Sequence, residues 1–219
     1  MSTRAGYHHG SLREALVRAC LDLIRAEGIG AVSLRRVARE AGVSPGAPYH
    51  HFADRAALLT AISADGFQLL RDRLVEARAD AASSSAALLG LVQAYVRFAT
   101  EQPAYFHLMF RPELAQPDKD PDGTAAADES LRVLAEVVAD CQRDGAAPPG
   151  PAEPLVAMVW SLSHGLASLW IDGPLVSKLA GTPEQLLTQI GAGLAAILNG
   201  AARAGVRLGS PAVGPAHLA

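Results

Sequence analysis

The sequence predicts an all-α protein: a three-helix head carrying a helix-turn-helix, joined to a larger helical bundle, about nine helices in all. Composition is the first reason, since half of the 219 residues are hydrophobic while aromatic residues make up only 5% and β-formers are sparse. Punctuation is the second. Apolar residues recur at helical spacing behind Ser, Thr or Asp and ahead of Gly, and no alternating strand pattern or internal repeat interrupts them.

The elements follow in order. Ser11 with Glu14 reads as a capping box for a first helix from about Leu12 to Glu27, with Leu16, Cys20, Leu23 and Ile24 on one face and Gly28 as the stop. Ser33 caps a short second helix, Leu34 to Ala41, placing Val37 and Ala38 inward and Arg35, Arg36 and Arg39 outward. Gly42 ends it, Ser44 caps again, and Pro45 stands where a missing N–H costs nothing, so a third short helix is expected over Pro45 to His51. Asp54 caps a long helix to about Ala79, striped by Leu58, Leu59, Ile62, Phe67, Leu70 and Leu74. Beyond the joint at Ala81 to Ser85, helices are expected over Ala86 to Glu101, Ala104 to Phe110 and Ala126 to Gln142. A surface loop fills Arg111 to Thr124 and a second one Gly145 to Pro154. Leu155 to Ile171 and a helix opened by Thr182, Pro183 and Gln185, running to about Ala204, complete the chain. The expected organisation is a head over residues 1–55, a bundle over 56–204 and a flexible tail over 205–219.

Charge is distributed unevenly. Net charge is −3, yet residues 1–55 hold eight arginines against five acids, +3, and the remainder carries −6. A positive end on a negative body suits docking on phosphate. Cys20 and Cys141 sit inside apolar helical patterns without metal-ligand spacing, which implies buried thiols in a reducing cytoplasm. The first residues lack the apolar stretch of a secretory leader. Leu155 to Ile171 carries no charge, but it is short for a span and contains Ser161, Ser163, His164 and Ser168, so a buried helix is favoured and no membrane partner is expected.

The densest constellation runs from Ser33 to Leu59, SLRRVAREAGVSPGAPYHHFADRAALL. Two short helices meet at Ala41-Gly42-Val43, where Gly42 can take the positive φ of a sharp turn and Val43 plugs the angle. The second of them is small enough to probe a major groove, its start favours phosphate, and Tyr49, His50 and His51 offer adjacent donors. Arg55 opens the following helix, where a cation opposes the helix dipole, so phosphate contact is the better account of it. Ser33, Arg35 and Arg36 are in reach of the same backbone. Pro45, Gly46 and Pro48 leave few long side chains to read base edges, so shape and phosphate are expected to supply much of the affinity.

This stretch, extended back to Tyr7, resembles the TetR family of repressors in its capped starts, AGV turn, YHHF ending and following cation. The resemblance implies Arg36, Ser44, Gly46, Tyr49, His50, His51 and Arg55 as DNA-contacting positions; with Ser33, Arg35 and Pro45 they form the expected DNA-facing set. His8, His9 and Gly10 resemble the YHHG lead-in of one branch of the family. Trp160, His164 and Gly165 resemble a C-terminal domain named for its Trp, His and Gly residues. The resemblance further implies a ligand-binding and dimerising bundle, with the last two helices forming the dimer. Small residues Gly191, Ala192, Gly193, Ala195 and Ala196 would allow close approach there.

Bland readings stand beside these. Any one of Arg35, Arg36 and Arg39 can be a solvated helix face. His164 can hold two helices together or line an effector pocket with Trp160, and Phe106, Met109 and Phe110 can pack a core or line that pocket. Catalysis is not expected: there is no Gly-rich phosphate loop, Cys-x-x-Cys, paired-histidine motif or nucleophile elbow, and the pairs His107 with Glu113 and His164 with Asp172 lack supporting neighbours. No metal or cofactor is implied. The sequence therefore leads to a cytoplasmic homodimer that binds double-stranded DNA and answers to a small, mainly apolar effector. The alternative is a helical adaptor that keeps the fold and acts through protein contacts alone.

Overall fold

In the computed structural model, residues 9–111, 114, 121–173, 175, 178 and 182–209 are described, with the side chains of 9–11, 122, 183 and 184 left aside. Among them are eight α-helices and two short 3-10 turns, and no strand. α1 spans His9–Glu27, α2 Leu34–Glu40, α3 Arg55–Ala79, α4 Ser84–Glu101, α5 Pro103–Met109, α6 Pro121–Arg143, α7 Glu153–Ile171 and α8 Pro183–Arg203, with the 3-10 turns at Ile29–Ala31 and Ala47–His50.

The helix starts show where local chemistry decides. Ser33 accepts the Arg36 N–H, and Asp54 accepts the Ala57 N–H at 2.8 Å to open α3. Thr182 and Gln185 complete a reciprocal capping box at α8. Several expected starts shift. α1 is already helical at His9, so Ser11 lies inside it rather than capping it, and His8 falls outside the described residues. α4 opens two residues early because Ser83 accepts the Ala86 N–H. α6 starts at Pro121 inside the stretch expected to be loop, with proline at the first position; Glu113 lies outside the described residues.

The chain divides into two compact units: the described residues up to Leu69 together with Glu101–Asp128, and Leu70–Thr100 together with those from Glu129 onward. The first unit reaches beyond residue 55 for a physical reason. Leu58, Leu59 and Ile62 of α3 and Ala104 and Leu108 of α5 join Leu16, Cys20, Val37 and Phe52 in one buried core. Arg13 of α1 pairs with Asp65 of α3 at 3.4 Å. Gly66 lets α5 approach α3, since a Cβ there would stand 2.7 Å from the Met109 sulfur.

In the second unit Arg73 lies over the Phe98 ring at 5.7 Å, and Arg78 pairs with Glu136 and Asp140. Gly191 packs on Leu89 of α4, where a Cβ would stand 3.1 Å from the leucine, so this residue serves the chain's own core rather than an outer face. The segment after α8 is held as far as Leu208. The Leu208 N–H donates to Pro149 O at 3.0 Å, and Gln142 donates to the carbonyls of Pro148 and Gly150. Of the expected flexible tail, residues 210–219 lie outside the described ones.

Candidate nucleic-acid interface

The turn between α2 and the Ala47–His50 segment is set by backbone geometry. Gly42 has φ of +67°; its N–H donates to Arg39 O and the Val43 N–H to Ala38 O, the paired bonds of a Schellman stop. Val43 then packs, partly buried, against the first unit's core. The following element is not the α-helix that Ser44 and Pro45 suggest. Ala47 N–H bonds Ser44 O, Tyr49 N–H bonds Gly46 O and His51 N–H bonds Pro48 O, all three-residue steps. Pro48 has no N–H with which to reach Ser44 O, so the α-ladder cannot start and a 3-10 turn takes its place.

That turn sorts its side chains. Pro48 is buried, whereas Tyr49, 55% exposed, and His50 stand in solvent. Ser44, Pro45 and Gly46 are exposed ahead of them. His51 is different from its neighbour: it is half-buried, and its Nε2 is enclosed without a hydrogen-bond partner among the described residues. It is therefore not presented as an outward donor in the way the YHHF pattern suggests.

The arginines also part company. Ser33, Arg35 and Arg39 are exposed, and neither arginine forms an ion pair among the described residues. Arg36 instead grips Glu27 at the end of α1 through both terminal nitrogens, at 2.5 and 2.9 Å. Hydrogen bonding to Arg36 holds the Glu27 carboxyl below the ordinary carboxylate range. Arg55, half-buried at the start of α3, donates Nε to Val32 O and Nη2 to Ile29 O, both at 3.0 Å. Glu27 and these two carbonyls were not legible as partners from spacing alone.

The residues expected to share an effector pocket fall in different units. Phe106 and Met109 are buried in the first, with Phe110 edge-on to Phe67 and Phe106. Trp160 and His164 belong to the second, where His164 Nδ1 lies 2.8 Å from the Tyr95 hydroxyl. Burial raises the Tyr95 pKa, and a hydrogen bond from Trp160 opposes the rise. Burial lowers the His164 pKa. Tyr95 is the member of this group that sequence reasoning missed. No group of three or more His, Cys, Asp or Glu among the described residues is arranged for a metal.

α7 is 19 residues long and apolar enough to cross a membrane by length and composition. Its inward face is nonetheless built for packing, with Ser163 buried and bonded to Val159 O. Its other face and that of α8 leave Met158, Trp160, Leu169 and Ile197 exposed, and a Cβ at Gly165, Gly193 or Gly200 would meet nothing.

Comparison with known proteins converges on one family. Residues 16–62 match bacterial regulatory proteins of the tetR family, and residues 88–194 match the tetracyclin repressor-like C-terminal domain. A protein with unknown function from Rhodococcus sp. RHA1 is 31% identical, with 90% of this chain and 100% of that one covered and a TM-score of 0.77. A regulatory protein in the tetR family from Rhodococcus RHA1, 19% identical, covers 91% and 98% with a TM-score of 0.71. The TetR family transcriptional regulator PfmR from Thermus thermophilus, 20% identical, covers 84% and 96% with a TM-score of 0.69. With its capped helix-turn-helix and helical body matched in sequence and shape, the chain belongs to the TetR family of DNA-binding transcriptional regulators.

Proposed function

We propose that the protein is a cytoplasmic homodimeric repressor, without catalytic activity, that leaves a near-palindromic operator when a small, mainly apolar effector binds its body. Two copies of the Ala47–His50 turn would enter successive major grooves, roughly 34–36 Å apart. The observation that carries this is the exposed Tyr49 and His50 on a turn locked by the Gly42 stop, beside the exposed Arg35 and Arg39 of α2. Ser33, Ser44, Pro45 and Gly46 complete the contact surface, while Arg36 stays on Glu27. The exposed Met158, Leu169 and Ile197, with open glycines between them, support a dimer through α7 and α8. Differential affinity of the effector for two dimer states would release the DNA. His164 is proposed to contact that effector or to hold α4 and α7 together through Tyr95.

The test is selection of genomic fragments by purified protein, followed by titration across salt concentrations. If each head made about four phosphate contacts, the log–log slope would be near −7. Two free arginines per head give about −4, the value favoured here because the structure occupies Arg36 and Arg55 internally. A slope near zero, or indifference to every fragment, would assign the fold to protein contacts instead.

A further inference from the structure

We infer that Arg55 is a positioning residue that closes the reading segment into a rigid loop, rather than a phosphate contact; the inference rests on the DNA-binding reading above. The Val32 carbonyl precedes the Ser33 cap, so the α2 ladder begins beyond it and cannot use it. Arg55 reaches it across 23 residues with Nε, and reaches Ile29 O across 26 with Nη2. One guanidinium thus joins the two ends of the stretch that contains α2, the Gly42 stop and the exposed Tyr49–His50 turn. It also explains a cation at a helix N-terminus. The repulsion from the α3 dipole is offset by two carbonyl oxygens, with no need of an external anion. The fork is specific to arginine, because a lysine ammonium lacks the planar pair of donors that meets two carbonyls at once.

The experiment compares wild type, Arg55→Lys and Arg55→Ala on a duplex recovered by selection on the wild-type protein, over a range of salt. Positioning predicts that Arg55→Lys, although its charge is kept, loses about tenfold in affinity, the worth of one charge-assisted bond. It also predicts that the salt slope is unchanged in both variants. A phosphate contact predicts near wild-type affinity for lysine and a slope smaller by about 1.8 per dimer for alanine; either result overturns the inference. Should the alanine variant fail to fold, the wild-type Arg55 Nε–H resonance decides. Held on Val32 O, it keeps its shift and slow exchange when duplex is added, and a large change on binding overturns the assignment. If wild type binds no duplex, the DNA-binding reading itself fails; if wild type binds and these signatures are missing, only the role of Arg55 does.

Discussion

Replacing Gly42 tests whether backbone geometry, rather than side-chain contact, holds the reading turn. Its φ is +67°, and a Cβ built there meets nothing within 4 Å. Overpacking therefore plays no part, and the cost of Gly42→Ala is that of holding an L-residue in the left-handed region, about 1–2 kcal/mol. Alanine also restricts the unfolded chain, which returns roughly 0.4–1 kcal/mol. The net loss expected is about 1 kcal/mol, a fall of roughly 0.3–1 M in urea midpoint at usual slopes. Asparagine, which tolerates this region, should lose less, and valine more. The assay is urea unfolding followed by circular dichroism at fixed protein concentration, with DNA titration of the same samples. Strain has one other outlet, opening the Gly42–Arg39 and Val43–Ala38 bonds. Stability is then retained while the turn loosens and affinity falls. Alanine matching glycine in both midpoint and affinity would refute the reasoning, as would a ranking of Ala, Asn and Val that ignores left-handed tolerance.

Further outcomes follow from single contacts. Ser33→Ala removes the bond to the Arg36 N–H and should lower stability by about 1 kcal/mol in a thermal melt. Cys20, fully buried with its thiol pushed up to about 12, should resist alkylation at mildly alkaline pH until denaturant opens the first unit; rapid labelling of folded protein would contradict its burial. Burial lowers the His164 pKa, so the unfolded chain takes up its proton first as pH falls. Stability should therefore be level above about pH 7 and decline as pH drops through about 6.5, and His164→Gln should lessen that decline in urea midpoints. Ile197, 67% exposed on α8, is expected in the dimer interface: Ile197→Glu should give a folded monomer by light scattering, and an unchanged dimer mass would remove α8 from the interface.

What could be read from sequence, and what could not, divides by distance along the chain. Ser33, Asp54 and Thr182 cap where they are expected to because each bond spans three residues. Gly42 stops α2 for an equally local reason. The Pro45–His51 segment misleads only in degree: Ser44 and Pro45 are right for the start of a helix, but Pro48 removes the donor that an α-turn needs. Partner choice is different. Arg55 is legible as a charge of the wrong sign for its helix end, and hence as a group that must have a partner, but the sequence does not distinguish phosphate from the chain's own carbonyls. Glu27, an anion at the end of α1, carries the same signal with opposite sign, and Arg36 answers it from nine residues away. A wrong-sign charge at a helix terminus thus announces a tertiary bond or a ligand without saying which, because the choice depends on what folding brings within about 3 Å. In this head folding supplies both partners, so under the proposed function the attraction for DNA would fall to the exposed Arg35 and Arg39 of α2.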